Sequence, residues 1–387
     1  MSGPEGAPGP GGRRGGAGGR VRVLWLIKGL GPGGAERLLL SAARAHDHTR
    51  FAISVAYLLP WKDALTDDLR AAGVTVHCLD VRRPCDVGWP ARLRRLLITP
   101  GYDILHLHSP MVAGVARLVV RTLPKAQRPR VVTTEHNEWW SYVFPTRVVN
   151  AVTFSLDDAH LAVSDDVRRS VPRRLRAGVR TVVHGTAVDA ARAVRAQREA
   201  VRGELGFGPD DVVVGTIANF RAQKGYPDLL AAVRIVADRV PQLRVVAVGQ
   251  GPLEAEIRAR HAELGLGDRF RFLGYRDDAL RVLAACDIFT LASLYEGYPV
   301  ALMEALAVGL PVVATAVGGV PDAVRQGVEG LVVPPSRPDL LAAALEALAT
   351  DPELRGRMAE AALRRGLQYD IVDAVRHIEA TYDRLTG

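Results

Sequence analysis

Lysine is scarce in this chain. Of 50 basic residues only Lys28, Lys62, Lys125 and Lys224 are lysines, and the rest are arginines. With abundant Ala, Gly and Pro, that skew is what a GC-rich coding sequence produces. The net charge of +8 also suits attraction to anionic lipid or phosphorylated substrates. No basic run is interleaved with aromatics, which argues against a nucleic-acid binder. Cysteine is scarce as well. Cys78, Cys85 and Cys286 form an odd set without metal-type spacing, which argues against a disulfide framework and fits a reducing cytoplasm. No apolar run reaches the ~18 residues of a membrane span. The first residues carry no apolar core of the signal-peptide kind. No acidic cluster suggests a divalent metal site.

What is present is ordinary globular composition. At 387 residues, 48% hydrophobic and 24% charged, the chain is long enough for two domains with separate cores. Met1 to Arg20 is rich in Gly and Pro and is expected to be disordered. Beyond it, apolar runs and helical patterns alternate. The expected division is a first domain over 21–190, a polar connection, a second domain over 203–370, and a closing segment 371–387 that returns to the first. Repeated strand–helix units predict doubly wound parallel sheets of the Rossmann-like kind.

The most informative stretch is Ser293 to Pro321. Ile288 to Ala292 reads as a buried strand, Ala301 to Val308 as a helix, Gly309 as its stop, and Pro311 to Val317 as the next strand. Glu296 then lies in a loop at the carboxyl end of a strand, and Glu304 on the helix that follows. Ligands of open α/β sheets bind at such strand ends, and a helix start suits a phosphate. Two glutamates eight positions apart would be roughly 12 Å apart in a helix, about the reach from one sugar, past a diphosphate, to another. An isolated pair of this kind is as easily a solvated helix face.

Earlier strand ends carry chemistry too. After the strand Val21–Ile27 comes Lys28-Gly29-Leu30-Gly31-Pro32-Gly33-Gly34-Ala35-Glu36, a glycine-rich turn that lets backbone approach a ligand. It lacks the Gly-Lys-Ser/Thr ending of a P-loop, and no acidic residue ends the second strand as a dinucleotide fingerprint requires. His106 and His108 share a face of one strand, and a metal pair is conceivable, but no third ligand is evident nearby. Val131 to Asn137 is a second strand end with a histidine, His136. Trp139, Trp140, Tyr142 and Phe144 after it read equally as core or as an aromatic wall for a sugar or lipid. Trp89 to Ile98 is a basic amphipathic helix, read either as a surface helix packed on a sheet or as a peripheral contact with an anionic membrane. In the second half, Lys224 and Arg221 at a strand end could neutralise a diphosphate.

Glu296 and Glu304, followed by Gly-Leu-Pro-Val-Val-Ala-Thr and Gly318-Gly319-Val320-Pro321, resemble the signature of family 4 glycosyltransferases. Gly33-Gly34-Ala35-Glu36, Lys224-Gly225 and Gly249-Gln250-Gly251-Pro252 are similar to other segments of that family. The resemblance covers nearly all of the chain beyond residue 20 and is densest from Asp211 to Pro335. It implies a GT-B fold, two Rossmann-like domains facing a cleft. It also implies a retaining, metal-independent transfer from a nucleoside-diphosphate sugar, such as a UDP- or GDP-sugar, to a glycan, lipid-linked or small-molecule acceptor. No cofactor is implied beyond that donor substrate.

Carried over residue by residue, the resemblance makes Glu296, His108, Lys224 and Arg221 the catalytic set. The donor is expected at Gly33, Gly34, Glu304, Gly249, Gly251, Gly297, Tyr298 and Pro299. The chain departs from the family pattern at Asn219, where an arginine is usual, and at His184, where an asparagine is usual. Arg221 is a candidate replacement for the missing charge. Three other readings stay open: a sugar-nucleotide epimerase on the same fold, a non-catalytic sugar-nucleotide-binding scaffold subunit, and a phosphorylase, which would need pyridoxal phosphate.

Overall fold

A computed structural model describes residues 19–31, 33–83 and 86–387. The start of the chain through residue 18, where most of the expected disordered tail falls, lies outside the described residues. So do Pro32, Pro84 and Cys85.

The first sheet has seven strands: β1 (Val21–Ile27), β2 (Phe51–Tyr57), β3 (Thr75–Cys78), β4 (Ile104–Leu107), β5 (Arg130–Glu135), β6 (Ala159–Ala162) and β7 (Val179–Thr181). Their order is β3-β2-β1-β4-β5-β6-β7. The second has six: β8 (Val212–Ile217), β9 (Leu243–Val248), β10 (Phe270–Gly274), β11 (Ile288–Leu291), β12 (Val312–Thr315) and β13 (Gly330–Val333). Their order is β10-β9-β8-β11-β12-β13. All pairings are parallel, from Val21 opposite Phe51 in β1–β2 to Val212 opposite Leu243 in β8–β9. Parallel neighbours need crossover helices, which is why strands and helices alternate. Helices cover both faces, so central strands such as Val-Val-Val-Gly-Thr-Ile are apolar but for Thr216.

Each sheet reverses direction beside its first strand, between β1 and β4 and between β8 and β11. Such a reversal opens a crevice at the carboxyl ends of the strands. The glycine turn after β1 and the loops after β8, β9 and β11 line one common cleft. The two sequence stretches that join the sheets run side by side. Thr186 N–H donates to the Tyr369 carbonyl at 2.7 Å, and Ile371 N–H donates to Thr186 at 3.0 Å.

Helix Ile371–Thr386 then packs on the first sheet. The Tyr382 hydroxyl accepts from Trp25 Nε1 at 3.0 Å and lies 2.6 Å from His106 Nδ1. Glu379 meets His46 at 2.8 Å. These polar contacts are sealed among Trp25, Phe51 and Ile378, where an unmade hydrogen bond is costly.

The helix Trp89–Leu96 buries Leu93 in the core of the first domain, together with Leu97 just beyond it. Arg92 is tied to Asp86 at 2.5 Å and to the Leu79 carbonyl at 2.7 Å. Its apolar side is thus packing surface, and the membrane reading of this helix has no apolar face to rest on.

Candidate functional site

The cleft is a cavity of about 120 Å³ that opens to solvent, and a concave space of this kind is where small molecules bind. Gly33, Gly34 and Arg37 line it from the first domain. Asn219, Lys224, Gly249, Tyr275, Pro299 and Glu304 line it from the second. Helix Val300–Val308 aims its start into this space, with Val300 and Ala301 on the wall. Its free N–H groups therefore face the cavity. The helix stops at Gly309, whose φ of +87° suits glycine.

Glu296 stands behind Lys224. Lys224 Nζ lies 2.5 Å from Glu296 Oε1, and Ser293 Oγ donates to the same oxygen at 2.6 Å. Gln223 reaches the Tyr295 carbonyl at 3.1 Å. The buried carboxylate is thus fixed by a charged and a neutral donor. Its loop is wedged between the domains. A Cβ on Gly297 would stand 2.0 Å from the His136 carbonyl, and one on Gly318, where φ is +53°, would stand 2.2 Å from the Glu296 carbonyl. Only glycine permits both approaches.

Glu304 faces the cleft as a half-buried carboxylate. Burial pushes its pKa up to about 7, and the Arg37 charge pulls it down. Arg37 crosses from the first domain, its Nη2 3.3 Å from the Tyr275 hydroxyl. Glu36, one position earlier, is also raised by burial, with Lys62 and Arg221 opposing.

Behind this cleft, in the first domain, His106, His108, His136 and His184 form a cluster. His106 is held on both nitrogens, by Tyr382 and by Thr134 at 2.7 Å. His108 Nδ1 is 3.2 Å from His136 Nε2, and the His136 and His184 rings stack at 5.2 Å. Burial, reinforced by mutual repulsion, holds His106, His108 and His136 well below the usual imidazole range, and burial alone holds His184 at about 4. All four are therefore neutral at pH 7. Among the described residues no three His, Cys, Asp or Glu side chains are grouped to hold a metal ion.

The expected site residues thus divide. Gly33, Gly34, Lys224, Gly249, Pro299 and Glu304 share the cleft, and Glu296 and Gly297 stand at its rear. His108 lies in a separate small cavity, with Trp25 and Leu38. Gly251 packs on Phe220 backbone, and the Tyr298 hydroxyl is spent on Tyr369 at 2.8 Å. Arg221 is exposed rather than on the cleft wall. Arg37 was not anticipated from the sequence. The signal was its position three residues after Gly34, on the same face of the helix Gly34–Ala45.

Residues 32–192 match the family described as Glycosyltransferase Family 4, and residues 197–365 match Glycosyl transferases group 1. The chain belongs to the family 4 glycosyltransferases. The transferase is similar to the D-inositol 3-phosphate glycosyltransferase of Saccharomonospora viridis, with 33% identity over 68% of this chain and 66% of that enzyme. It is 35% identical to the enzyme of that name from Corynebacterium glutamicum, but that match spans under half of either protein, 48% of this chain and 46% of the relative. Its fold is that of Anabaena HepE, solved in complex with UDP and glucose: TM-score 0.83, 21% identity, 94% of this chain and 100% of that one. The architecture is accordingly GT-B, and the transferase carries out glycosyl transfer.

Proposed function

We propose that the transferase moves a sugar, with retention of anomeric configuration, from a nucleoside-diphosphate sugar to an acceptor hydroxyl. The nucleotide lies in the cleft against the second domain, and the acceptor enters from the first. The observation that carries this reading is the convergence of Lys224, Arg37, a helix start and Glu304 on one cavity. Cations and N–H groups suit a diphosphate, and a carboxylate one helical turn further in suits a ribose.

In this reading Lys224 and Arg37 stabilise the charge that gathers on the diphosphate as its bond to the anomeric carbon breaks. Arg37 supplies the cation that Asn219 does not, a role that Arg221 holds less well from outside the cleft wall. Glu296, oriented by Lys224 and Ser293, accepts hydrogen bonds from the transferred sugar. The acceptor oxygen bonds to the anomeric carbon, and its proton passes to the departing phosphate oxygen. Of the histidines, His136 is the one whose backbone carbonyl lies against the Glu296 loop, while its ring lines the same small cavity as that of His108.

UDP is the preferred nucleotide, because the HepE structures hold UDP or UDP-glucose; a GDP-sugar is the alternative. No permanently bound cofactor is invoked. The test is slow donor hydrolysis followed by NMR. A UDP-sugar with an α-linkage should release free sugar first as the α-anomer, in the presence of a chelator. First release of the β-anomer, or no release and no transfer with any donor, would defeat the proposal. Epimerised free donor in place of released sugar would favour the epimerase reading.

A further inference from the structure

Helix Phe144–Thr153 is inside out. Its buried residues are Thr146, Asn150 and Thr153, all polar. Its outward stripe is Phe144, Val148 and Val152, spaced by four and therefore on one line. Phe144 is 70% exposed and Val152 75%. Val143 and Trp140 extend the stripe at one end, and Leu118 adds to it from the neighbouring helix Pro110–Arg121. A surface helix ordinarily presents the opposite arrangement.

The inversion has a cause beneath it. Arg117, fully buried, grips Asp157 with two bonds of 2.8 and 2.7 Å and also bonds Asn150 at 2.8 Å and Thr133 at 3.1 Å. Gly114 lets the two helices meet closely, since a Cβ there would strike Val149. The helix is therefore anchored by its polar side, and its apolar side is left for something else. A contiguous apolar face of this kind marks an interaction site.

Charge selects the partner. Between residues 104 and 156 the only carboxylates are Glu135 and Glu138, and Glu135 is buried. Arg147 stands exposed within the stripe. Arg121, Lys125, Arg128 and Arg130 line a depression at its far end. Two of these guanidiniums are fixed on carbonyl oxygens, Arg121 on Leu156 and Arg128 on Arg121, each at 2.7 Å, which leaves their charge unneutralised. Arg130 alone pairs with an acid, Asp158 at 3.0 Å. A second copy of the chain would bring this basic rim against its own image across a two-fold axis. An anionic bilayer offers both apolar depth and negative charge.

We infer that this face docks the protein on an anionic lipid bilayer. The docked face adjoins the second domain, because the Trp140 ring meets the Tyr295 ring at 5.2 Å. The inference does not rest on the donor or the chemistry proposed above, and its test reads binding only.

The test is co-sedimentation of the full chain with vesicles of phosphatidylglycerol and phosphatidylcholine, against phosphatidylcholine alone. Anionic vesicles should bind at least 10-fold better, with binding that weakens as salt rises. Val148→Asp/Val152→Asp should lose at least 10-fold at an unchanged thermal midpoint. Lys125→Ser/Arg147→Ser should retain the apolar contribution and flatten the salt dependence. Absence of binding by the unaltered chain would overturn the inference, as would equal binding by the aspartate variant. A dimer split by Val148→Asp/Val152→Asp without vesicle binding would also overturn it, and would assign the face to a second copy.

Discussion

Lys224 Nζ lies 2.5 Å from Glu296 Oε1 across the base of the cleft, and the two side chains come from loops 72 residues apart. The ammonium thus has two partners in prospect, a carboxylate behind it and a diphosphate in front. Breaking a buried pair by removing one member leaves the other charge unpaired, at a cost of about 3–5 kcal/mol. Lys224→Met should therefore lower unfolding free energy at pH 7 by about 3 kcal/mol, and Lys224→Met/Glu296→Gln should recover most of it. Urea titrations of the four proteins of this cycle measure the coupling. An uncoupled result, with the double variant as unstable as the sum of the singles, would contradict the assigned pairing.

Arg37 has a neutral hydroxyl as its hydrogen-bonded partner, on Tyr275, so its charge is available to a diphosphate. A charge-assisted hydrogen bond contributes about 1.5–3 kcal/mol. Arg37→Ala should weaken UDP binding by roughly 10- to 100-fold, while Tyr275→Phe changes it little. Calorimetric titration separates the two variants, and equal affinity of Arg37→Ala and the unaltered chain would remove Arg37 from the site.

Glu304 gives a pH signature. Its folded pKa, raised to about 7 by burial, exceeds the ordinary carboxylate value. The folded state therefore holds a proton that the unfolded state has lost. On that account stability is highest below the unfolded pKa and falls as pH rises towards 7, by up to about 3 kcal/mol for a shift of this size. Glu304→Gln should be more stable than the unaltered chain at pH 8 and no different at pH 4. In the proposed arrangement the ionised carboxylate holds a ribose, so nucleotide binding should run the other way. Affinity should fall as pH drops below 7, and in Glu304→Gln that dependence should vanish.

Gly297 sets the approach of the two domains, since a Cβ there would meet the His136 carbonyl at 2.0 Å. Gly297→Ala should open the cleft. Small-angle scattering should give a larger radius of gyration, and turnover should drop about 100-fold, as a misplacement near 1 Å can produce. Nucleotide affinity, which the proposed function sets mostly on the second domain, should change less. Unaltered turnover would show that the contact is not needed for catalysis.

The doubly wound sheets were legible because parallel strands buried on both faces leave continuous apolar runs. Val21–Ile27 was bounded correctly from the sequence alone. That Glu304 and Lys224 would line the cleft was legible for a different reason, their places in the segments that follow strands β11 and β8. Arg37 was not, since one arginine among many has no distinguishing pattern until the domains meet. The exposed stripe at Phe144–Thr153 was legible only at its start, where Trp140 and Phe144 read equally as core or as a wall for a sugar or lipid, for a related reason. Periodicity shows which residues share a face but not which face is buried. Here the decision lay with Arg117 and Asp157, whose contact joins positions 40 apart.

The most direct measurement is titration of UDP and GDP into the unaltered chain, Lys224→Ala and Glu304→Ala, with a chelator present. The account predicts metal-independent binding of one nucleotide, weakened at least 10-fold in both variants, which would place the diphosphate and the ribose where Lys224 and Glu304 meet the cleft. Binding that is unchanged in both variants, or no binding of any nucleotide, would contradict it.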